Sequence, residues 1–318
     1  MVKAVPSVSI VMPLFNKSNQ VLDTIASVLA QTVSDWELVV VDDGSTDGGA
    51  EKVSALDDER IRVVRQPNNA GVSAARNRGI ELAQGDLIAF LDADDLWMPE
   101  FLSTVLALQA DFPSACWFAT GYQIRPNKGA PFAIRLRGPK KNFKRGILSG
   151  YFTVAICSDP PVWSSATAVR RNAIMAIGGF TVGIGSGEDL LTWAKLAVRF
   201  PLAYDIRPMA VFVVSGIERR PDRADRVGKA MAKLVEQFPG ADGLRAYLGL
   251  WYRMQAVMAL RFDDLSLARQ CALQAVRYGP KQLRNVYTLL LALIPSQWRK
   301  TLDCQARNLL GKKQEKLS

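Results

Sequence analysis

Between Val8 and Leu91 the chain alternates strand-length apolar runs with helical patterns, and this alternation restricts its fold more than any other feature. Val8 to Met12, Trp36 to Val41, Arg60 to Arg65 and Leu87 to Leu91 read as strands. Val21 to Ala30 carries Leu22, Ile25, Val28 and Leu29 on one helical face, and Gly71 to Leu82 forms a further helix. Strand and helix in turn predict a parallel sheet with right-handed crossovers, and such sheets bind ligands beyond the carboxyl ends of their strands. Two carboxylate clusters fall at those ends, Asp42-Asp43 and Asp92-Ala93-Asp94-Asp95. Asp92 and Asp94 alternate, so an extended chain projects them to one side, and their repulsion calls for an outside counter-charge. An all-oxygen donor set suits a hard cation, Mg²⁺ or Mn²⁺, which holds few protein carboxylates and completes its shell with water and phosphate oxygens. The strand end therefore points to a phosphate-bearing ligand.

After Phe101 the pattern changes to a helix, an aromatic strand around Cys116 to Tyr122, and a Gly, Pro and Lys-rich segment, Pro126 to Gly146, that reads as a lid-like connection. Val162 to Val169 follows as a strand, Arg170 to Ile177 as a helix, and a Gly-rich turn runs from Gly178 to Gly187. Glu188-Asp189 opens the next helix, where acidic residues favour the macrodipole. Pro208 to Val214 is expected to be a strand. The remainder reads as helical, with Arg245 to Arg261 and Leu265 to Tyr278 forming a hairpin and Arg284 to Ile294 a third piece.

Composition narrows the chemistry. The 318 residues contain no histidine, which removes Ser-His and Cys-His nucleophiles and leaves acid-base work to carboxylates, Lys or Tyr. Cys116, Cys157, Cys271 and Cys304 lie far apart without zinc-ligand spacing, the pattern of reduced cytosolic thiols. Met1 to Pro13 lacks the apolar core of an export signal, and no apolar stretch is long enough to span a bilayer. The formal charge of +10 sits entirely in the last third: residues 1–216 contain 21 basic and 21 acidic residues, residues 217–318 contain 19 and 9. No nucleic-acid-binding motif accompanies this surplus, so an anionic membrane surface is the expected partner rather than nucleic acid. The expectation is a cytoplasmic protein able to sit peripherally on the cytoplasmic face of the inner membrane.

Asp43 to Gly48 begins like a calcium loop, but Ser54 stands where a bidentate Glu is needed. Gly183 to Glu188 lacks a complete dinucleotide fingerprint, and there is no GxxxxGK[ST]. Four other motifs, in register, carry a resemblance: Val11-Met12-Pro13-Leu14-Phe15-Asn16, Val41-Asp42-Asp43-Gly44-Ser45-Thr46-Asp47, Asn69 to Asn77 and Leu91-Asp92-Ala93-Asp94-Asp95. Together with the later Gly-Glu-Asp turn, they resemble the family 2 glycosyltransferases over roughly the first 215 residues.

That resemblance implies a GT-A-type, mostly parallel α/β sheet flanked by helices, a nucleotide-diphosphate sugar donor, a UDP-sugar in the first instance, a divalent metal, and inversion at the anomeric carbon. It divides the chain into a GT-A domain, 1–215, with a nucleotide-sugar half (1–105) and an acceptor half (106–215), and a basic helical region, 216–318. It also implies donor contacts from Pro13, Asn16, Asp42, Asp43, Arg76 and Asp92, a metal ligand at Asp94, and Asp189 as the base that deprotonates the acceptor hydroxyl. Glu188 and Trp193 are expected at the acceptor or as orienting groups. Arg78 is expected at the helix surface. The QxxRW motif and membrane spans of processive synthases are absent, which favours addition of one sugar to a glycan or lipid-linked glycan intermediate of cell-surface polysaccharide or lipopolysaccharide assembly. Lys195 stands where many relatives carry Arg. The alternatives are a non-catalytic nucleotide-sugar-binding or membrane-recruiting scaffold, and a sugar-phosphate nucleotidyltransferase, which would need a glycine-rich loop that Pro13 to Ser18 does not contain. In the tail, Leu283, Val286, Leu290 and Leu293 share one helical face flanked by Arg277, Lys281, Arg284, Arg299 and Lys300. It fits either an interfacial membrane helix or packing on the preceding hairpin.

Overall fold

A computed structural model describes residues 5–137, 142–214, 220–221 and 223–294. It divides into two compact units, residues 1–218 with 236–243, and residues 219–235 with 244–318. In chain order the elements are β1 (Val8–Leu14), α1 (Val21–Leu29), β2 (Trp36–Asp42), α2 (Gly49–Ser54), β3 (Ile61–Arg65), α3 (Val72–Leu82), β4 (Leu87–Phe90), β5 (Leu96–Trp97) and α4 (Phe101–Asp111). Next come β6 (Trp117–Arg125), β7 (Phe132–Ala133), β8 (Arg145–Ile147), α5 (Tyr151–Cys157), β9 (Thr167–Arg170), α6 (Arg171–Ala176), α7 (Glu188–Ala197) and β10 (Leu202–Val213). Four helices follow: α8 (Arg226–Gln237), α9 (Leu244–Arg261), α10 (Leu265–Tyr278) and α11 (Leu283–Leu293).

The first unit is built on one sheet ordered β3-β2-β1-β4-β9-β6-β10-β5, with β7 beside β6 and β8 beside β10. Parallel pairing runs through β3, β2, β1 and β4, as the alternation of apolar runs requires. The second half adds antiparallel pairing, because β9 runs opposite to both β4 and β6. Two strands antiparallel to the same neighbour are parallel to each other, and β10 is parallel to β6. The carboxyl ends of β1, β2, β4, β6 and β10 therefore lie along one edge of the sheet.

Local chemistry explains these elements. β4 accompanies β1 only as far as Val11, so Pro13 follows where its missing N–H removes no bond to β4. Helix α3 lies close on β1 because Gly79 faces it: a Cβ there would stand 2.3 Å from Val11 Cγ1. Arg76, one turn earlier on the same face, is thereby drawn into the interior. The core beneath is apolar and closed, with Ile10, Met12, Leu38, Val40, Leu87, Ala89, Phe101 and Phe118 all buried.

In the second half several boundaries differ from the pattern reading. The strand expected at Val162 to Val169 starts only at Thr167, after a 3₁₀ turn at Ser164–Ala166, since Trp163 and Ser165 turn their side chains onto Asp95. β10 begins at Leu202, and its pairing with β6 shifts register around Pro208, which cannot donate to a ladder. The segment Pro126 to Gly146 contains β7 and the start of β8.

In the second unit α9, α10 and α11 are packed helices, and α11 turns its polar residues inward. Asn285, Thr288 and Ala292 are buried; Asn285 Nδ2 donates to the carbonyls of Ala275 and Gly279 at 2.8 and 3.0 Å. Leu283, Tyr287, Leu290 and Leu293 are exposed by 85%, 63%, 56% and 56%. The apolar face of α11 thus does not pack on the hairpin within the described residues. Arg299, Lys300, Trp298 and Cys304 lie outside them. No described helix is long and apolar enough to cross a membrane.

Candidate active site

The turns after β1 and β2 are tied together by side-chain hydrogen bonds. Asn16, at a φ of 50°, accepts at Oδ1 from Thr46 N (2.9 Å), and its own N–H donates to Ser45 Oγ (3.1 Å). Asp47 Oδ2 accepts from Ser18 N at 2.8 Å, and Asp42 Oδ1 accepts from Ser45 N at 2.9 Å. Asp43 is the latch for the chain leading into α3. Its Oδ1 accepts from Gln66 Nε2 (2.7 Å) and Ala70 N (2.8 Å), and its Oδ2 from Gly71 N (2.8 Å). Both carboxylates are buried, and most of the hydrogen-bonding capacity of Asp43 is committed to the loop.

At the end of β4 the carboxylates separate by environment. Asp95 is 1% exposed and accepts from Trp163 Nε1 (2.8 Å), Ser165 Oγ (2.6 Å) and Val213 N (3.0 Å). Burial, reinforced by the charge of Asp92, pushes its pKa up to about 7. It is a structural anchor between the end of β4, the 3₁₀ turn before β9, and β10. Asp92 accepts from Arg76 Nη2 at 2.6 Å, and its N–H donates to Ser165 Oγ. Asp94 is paired with Lys17 Nζ at 2.5 Å and keeps about a fifth of its side chain in contact with solvent, 20%.

Arg76 connects this strand end to the start of α7. Its Nη1 donates to Glu188 Oε1 at 3.2 Å, its side chain is 3% exposed, and its guanidinium lies 5.0 Å from the Phe180 ring centroid. Burial opposes its charge, but Asp92 and Glu188 outweigh that and hold it firmly protonated. Arg76 is therefore a buried bridge, whereas the resemblance implied a donor contact for it. Arg78 pairs with Glu81 at 3.0 Å on the exposed helix surface.

Glu188 is buried beside Arg76, while its neighbour Asp189 is partly exposed. Gly187, at a φ of 84°, turns the Gly-rich loop into α7 in a conformation suited to glycine. Asp189 Oδ1 accepts from Leu190 N at 2.8 Å. Burial first, then the charge of Glu188, pushes the Asp189 pKa up to about 6, and Arg76 pulls against them. Lys195 Nζ donates to Thr181 Oγ1 at 2.9 Å and so pins the Gly-rich turn to α7.

Trp193 is a correction to the sequence reading. It is fully buried, with its ring centroid 6.2 Å from Trp117, 6.2 Å from Phe90 and 5.9 Å from Phe180. An aromatic residue on the buried face of α7 packs the core and cannot touch an acceptor. Conversely, Lys17, Ser165, Trp163 and Gln66 were not among the residues expected at the site. Lys17 could have been found from the rule that placed the carboxylates, since it follows β1 directly.

Among the described residues there is no cluster of three or more metal-ligating groups. Asp94 alone nevertheless fits a hard cation of the Mg²⁺ or Mn²⁺ type. Such ions bind through one or two carboxylates with substrate phosphates and water, and the Oδ1 of Asp94 is not engaged by any described residue.

A sheet edge carrying acidic strand ends, joined through a buried arginine to a second acidic pair at a helix start, defines a GT-A-type glycosyltransferase. The chain belongs to glycosyl transferase family 2, whose signature matches residues 9–171. It is 38% identical over 205 residues, 63% of this chain and 75% of the relative, to TuaG of Bacillus subtilis, a glycosyltransferase assigned by name to teichuronic acid biosynthesis. It is 40% identical over 101 residues to WfgD of Escherichia coli, named as a UDP-Glc:α-D-GlcNAc-diphosphoundecaprenol β-1,3-glucosyltransferase; that match covers 32% of this chain and 40% of WfgD. In fold it resembles S. aureus TarS 1–349 crystallised with UDP-GlcNAc, with a TM-score of 0.67, 15% identity and 90% of each chain covered. It also resembles the mannosyltransferase PcManGT from Pyrobaculum calidifontis in complex with GDP-Man and Mn²⁺, with a TM-score of 0.57 and 21% identity over 94% of this chain and 89% of that one.

Proposed function

We propose that this glycosyltransferase moves one sugar, with inversion, from a nucleoside-diphosphate sugar to a hydroxyl of a glycan or lipid-linked glycan intermediate in cell-surface polysaccharide assembly. Residues 1–215 form the transferase domain, with the donor bound in 1–105 and the acceptor met by 106–215, and 216–318 forms a basic accessory region. A UDP-sugar is the expected donor, in keeping with the names of WfgD and the TarS complex. The donor lies along the sheet edge beside Pro13, Asn16, Asp42, Asp43 and Asp92. Asp94 would hold Mg²⁺ or Mn²⁺, and the ion would supply positive charge to offset that of the leaving diphosphate.

Asp189 accepts the acceptor's hydroxyl proton while that oxygen forms a bond to the anomeric carbon. On the opposite side, the bond from that carbon to the diphosphate oxygen breaks. A carboxylate raised to about 6 is a stronger base than an ordinary one and is still ionised near neutral pH. Glu188 orients Arg76 and has no direct role at the acceptor. The observation that carries this reading is the Asp92–Arg76–Glu188 bridge, which fastens the donor-side strand end to the helix that begins with the base.

Titration with UDP, with and without Mn²⁺, tests it. Affinity should rise with Mn²⁺ in the native protein and become indifferent to it in Asp94→Ala; metal-independent binding in both rejects the assignment.

The second unit supplies peripheral attachment to an anionic membrane. From Leu244 to Ile294 it carries seven Arg or Lys residues against two Asp, and α11 presents Leu283, Tyr287 and Leu290 outward. Basic flanks around an exposed apolar face suit the cytoplasmic leaflet.

A further inference from the structure

Lys17 stands on the turn between β1 and α1, and the fold fixes its backbone while leaving its side chain free to rotate. On one side, Asn16 N donates to Ser45 Oγ (3.1 Å) and Asn16 Oδ1 accepts from Thr46 N (2.9 Å). On the other, Ser18 N donates to Asp47 Oδ2 (2.8 Å) and the carbonyl of Ser18 accepts from Lys52 Nζ (2.9 Å). The carbonyl of Lys17 itself accepts from Gln20 N (3.0 Å) and Val21 N (2.9 Å), which ties it to the start of α1. A lysine held this way moves its charge by turning its flexible aliphatic stem, with no movement of the loop.

The ammonium reaches across to the end of β4, where Nζ pairs with Asp94 Oδ2 at 2.5 Å; the two side chains are 24% and 20% exposed. The other carboxylates of this strand end are held by parts of the fold that cannot leave. Asp92 is bound by the buried guanidinium of Arg76 at 2.6 Å, and Asp95 by Trp163, Ser165 and the backbone of Val213. Asp94 differs from both, because its partner is a partly solvated point charge on a mobile stem. An ion pair open to water is weakly held and can be exchanged. A divalent cation at Asp94 would meet that same carboxylate, and two cations on one carboxylate repel each other. The ammonium must then turn away, and its anchored backbone keeps it at the sheet edge where the donor's diphosphate is expected.

We propose that Lys17 is a donor-binding residue that changes partners: Asp94 holds its ammonium in the nucleotide-free protein, and the ammonium passes to a phosphate oxygen of the donor when nucleotide and divalent cation bind. Lys17 thereby couples the two ligands, since its pair with Asp94 opposes either one arriving alone. This rests on the donor reading of the site but gives that site a residue and an exchange that the reading did not contain. Lysine suits the task because its three rotatable donors serve carboxylate and phosphate alike.

The probes are UDP, uridine and Mn²⁺, each titrated into the full chain. Calorimetry with UDP in the presence of EDTA compares the native protein, Asp94→Asn, Lys17→Met and the double variant. Asp94→Asn releases Lys17, so it should bind metal-free UDP ~10-fold more tightly than the native protein, whereas the same change in the Lys17→Met background should bring less than a ~2-fold gain. Electron paramagnetic resonance of free Mn²⁺ without nucleotide should show Lys17→Met holding the ion ~5-fold more tightly than the native protein. Uridine, which has no phosphate, should bind all four proteins alike, and loss of a partly solvated pair should leave the melting temperature close to native. Equal gains from Asp94→Asn in both backgrounds reduce Lys17 to a general field and overturn the proposal. Mn²⁺ affinity unchanged in Lys17→Met, or uridine binding that depends on Lys17, overturns it as well. Failure of every form to bind UDP and uridine refutes the donor reading and the proposal with it, whereas UDP binding by the native protein with equal gains in the two backgrounds refutes the proposal alone.

Discussion

Replacing Arg76 by Met tests the buried bridge. Arg76 serves two carboxylates, Asp92 at 2.6 Å and Glu188 at 3.2 Å, with its side chain 3% exposed and that of Glu188 6% exposed. Methionine fills similar volume but leaves Glu188 as an uncompensated charge in the interior. Removing one partner of such a pair costs about 3–5 kcal/mol. At roughly 2–4 °C per kcal/mol for a unit of this size, the midpoint should fall by about 6–20 °C. Adding Glu188→Gln to Arg76→Met removes the stranded charge and should recover on the order of 1–3 kcal/mol. Because Arg76 pulls the Asp189 pKa down, its loss should also move the acid limb of the transfer rate to higher pH. Thermal unfolding of the two variants and pH-rate profiles provide the readouts. A variant as stable as the native protein, or a double variant no better than the single, refutes the bridge as a structural tie.

Asp189→Asn should lower transfer by ~10²-fold or more, and it should stabilise the fold at neutral pH. The folded-state pKa, about 6, lies above the ordinary 3.8, so the stability associated with protonated Asp189 is complete below about 3.8 and is lost as pH rises through 6. The variant should therefore melt ~6–12 °C higher than the native protein at pH 8 and show no gain near pH 3.5; equal midpoints at pH 8 contradict the assignment. Trp193→Ala should cost about 3–5 kcal/mol by opening a core cavity, while Trp193→Phe should leave the acceptor KM unchanged. A raised KM with an unchanged midpoint would return Trp193 to the acceptor. Replacing Leu283, Tyr287 and Leu290 together by Ser should weaken binding to anionic vesicles by ~100-fold without altering thermal unfolding, as all three are exposed. A native chain that ignores such vesicles at low salt removes the membrane proposal.

The parallel half of the sheet and the placing of Asp42, Asp43 and Asp92 to Asp95 along one edge were legible in the sequence, because strand and helix periodicity are local and the carboxyl ends of parallel strands share an edge. Helix α10 has the bounds that its pattern predicts, and β4 ends at Phe90, one residue before its apolar run meets the acidic residues. What each acidic side chain does was decided by the fold. Asp95 is consumed by Trp163, Ser165 and Val213, and Asp43 by the loop into α3. Arg76 meets Glu188 across 112 positions of sequence. Residue spacing records which side chains share a strand or helix face, but not which elements that face will meet.

The same limit explains Trp193 and α11. An apolar helical face in sequence is equally a core face or an outer one, since burial depends on the neighbour and not on the pattern. The fold buries Trp193 against Trp117 and Phe180, and in α11 it buries Asn285 and Thr288 and leaves the leucines outside. The sequence by itself determined the alternating architecture and the edge at which chemistry can occur. The tertiary structure alone decided which carboxylates are locked and which is partly open to solvent, because those outcomes follow from long-range packing and the burial of charge.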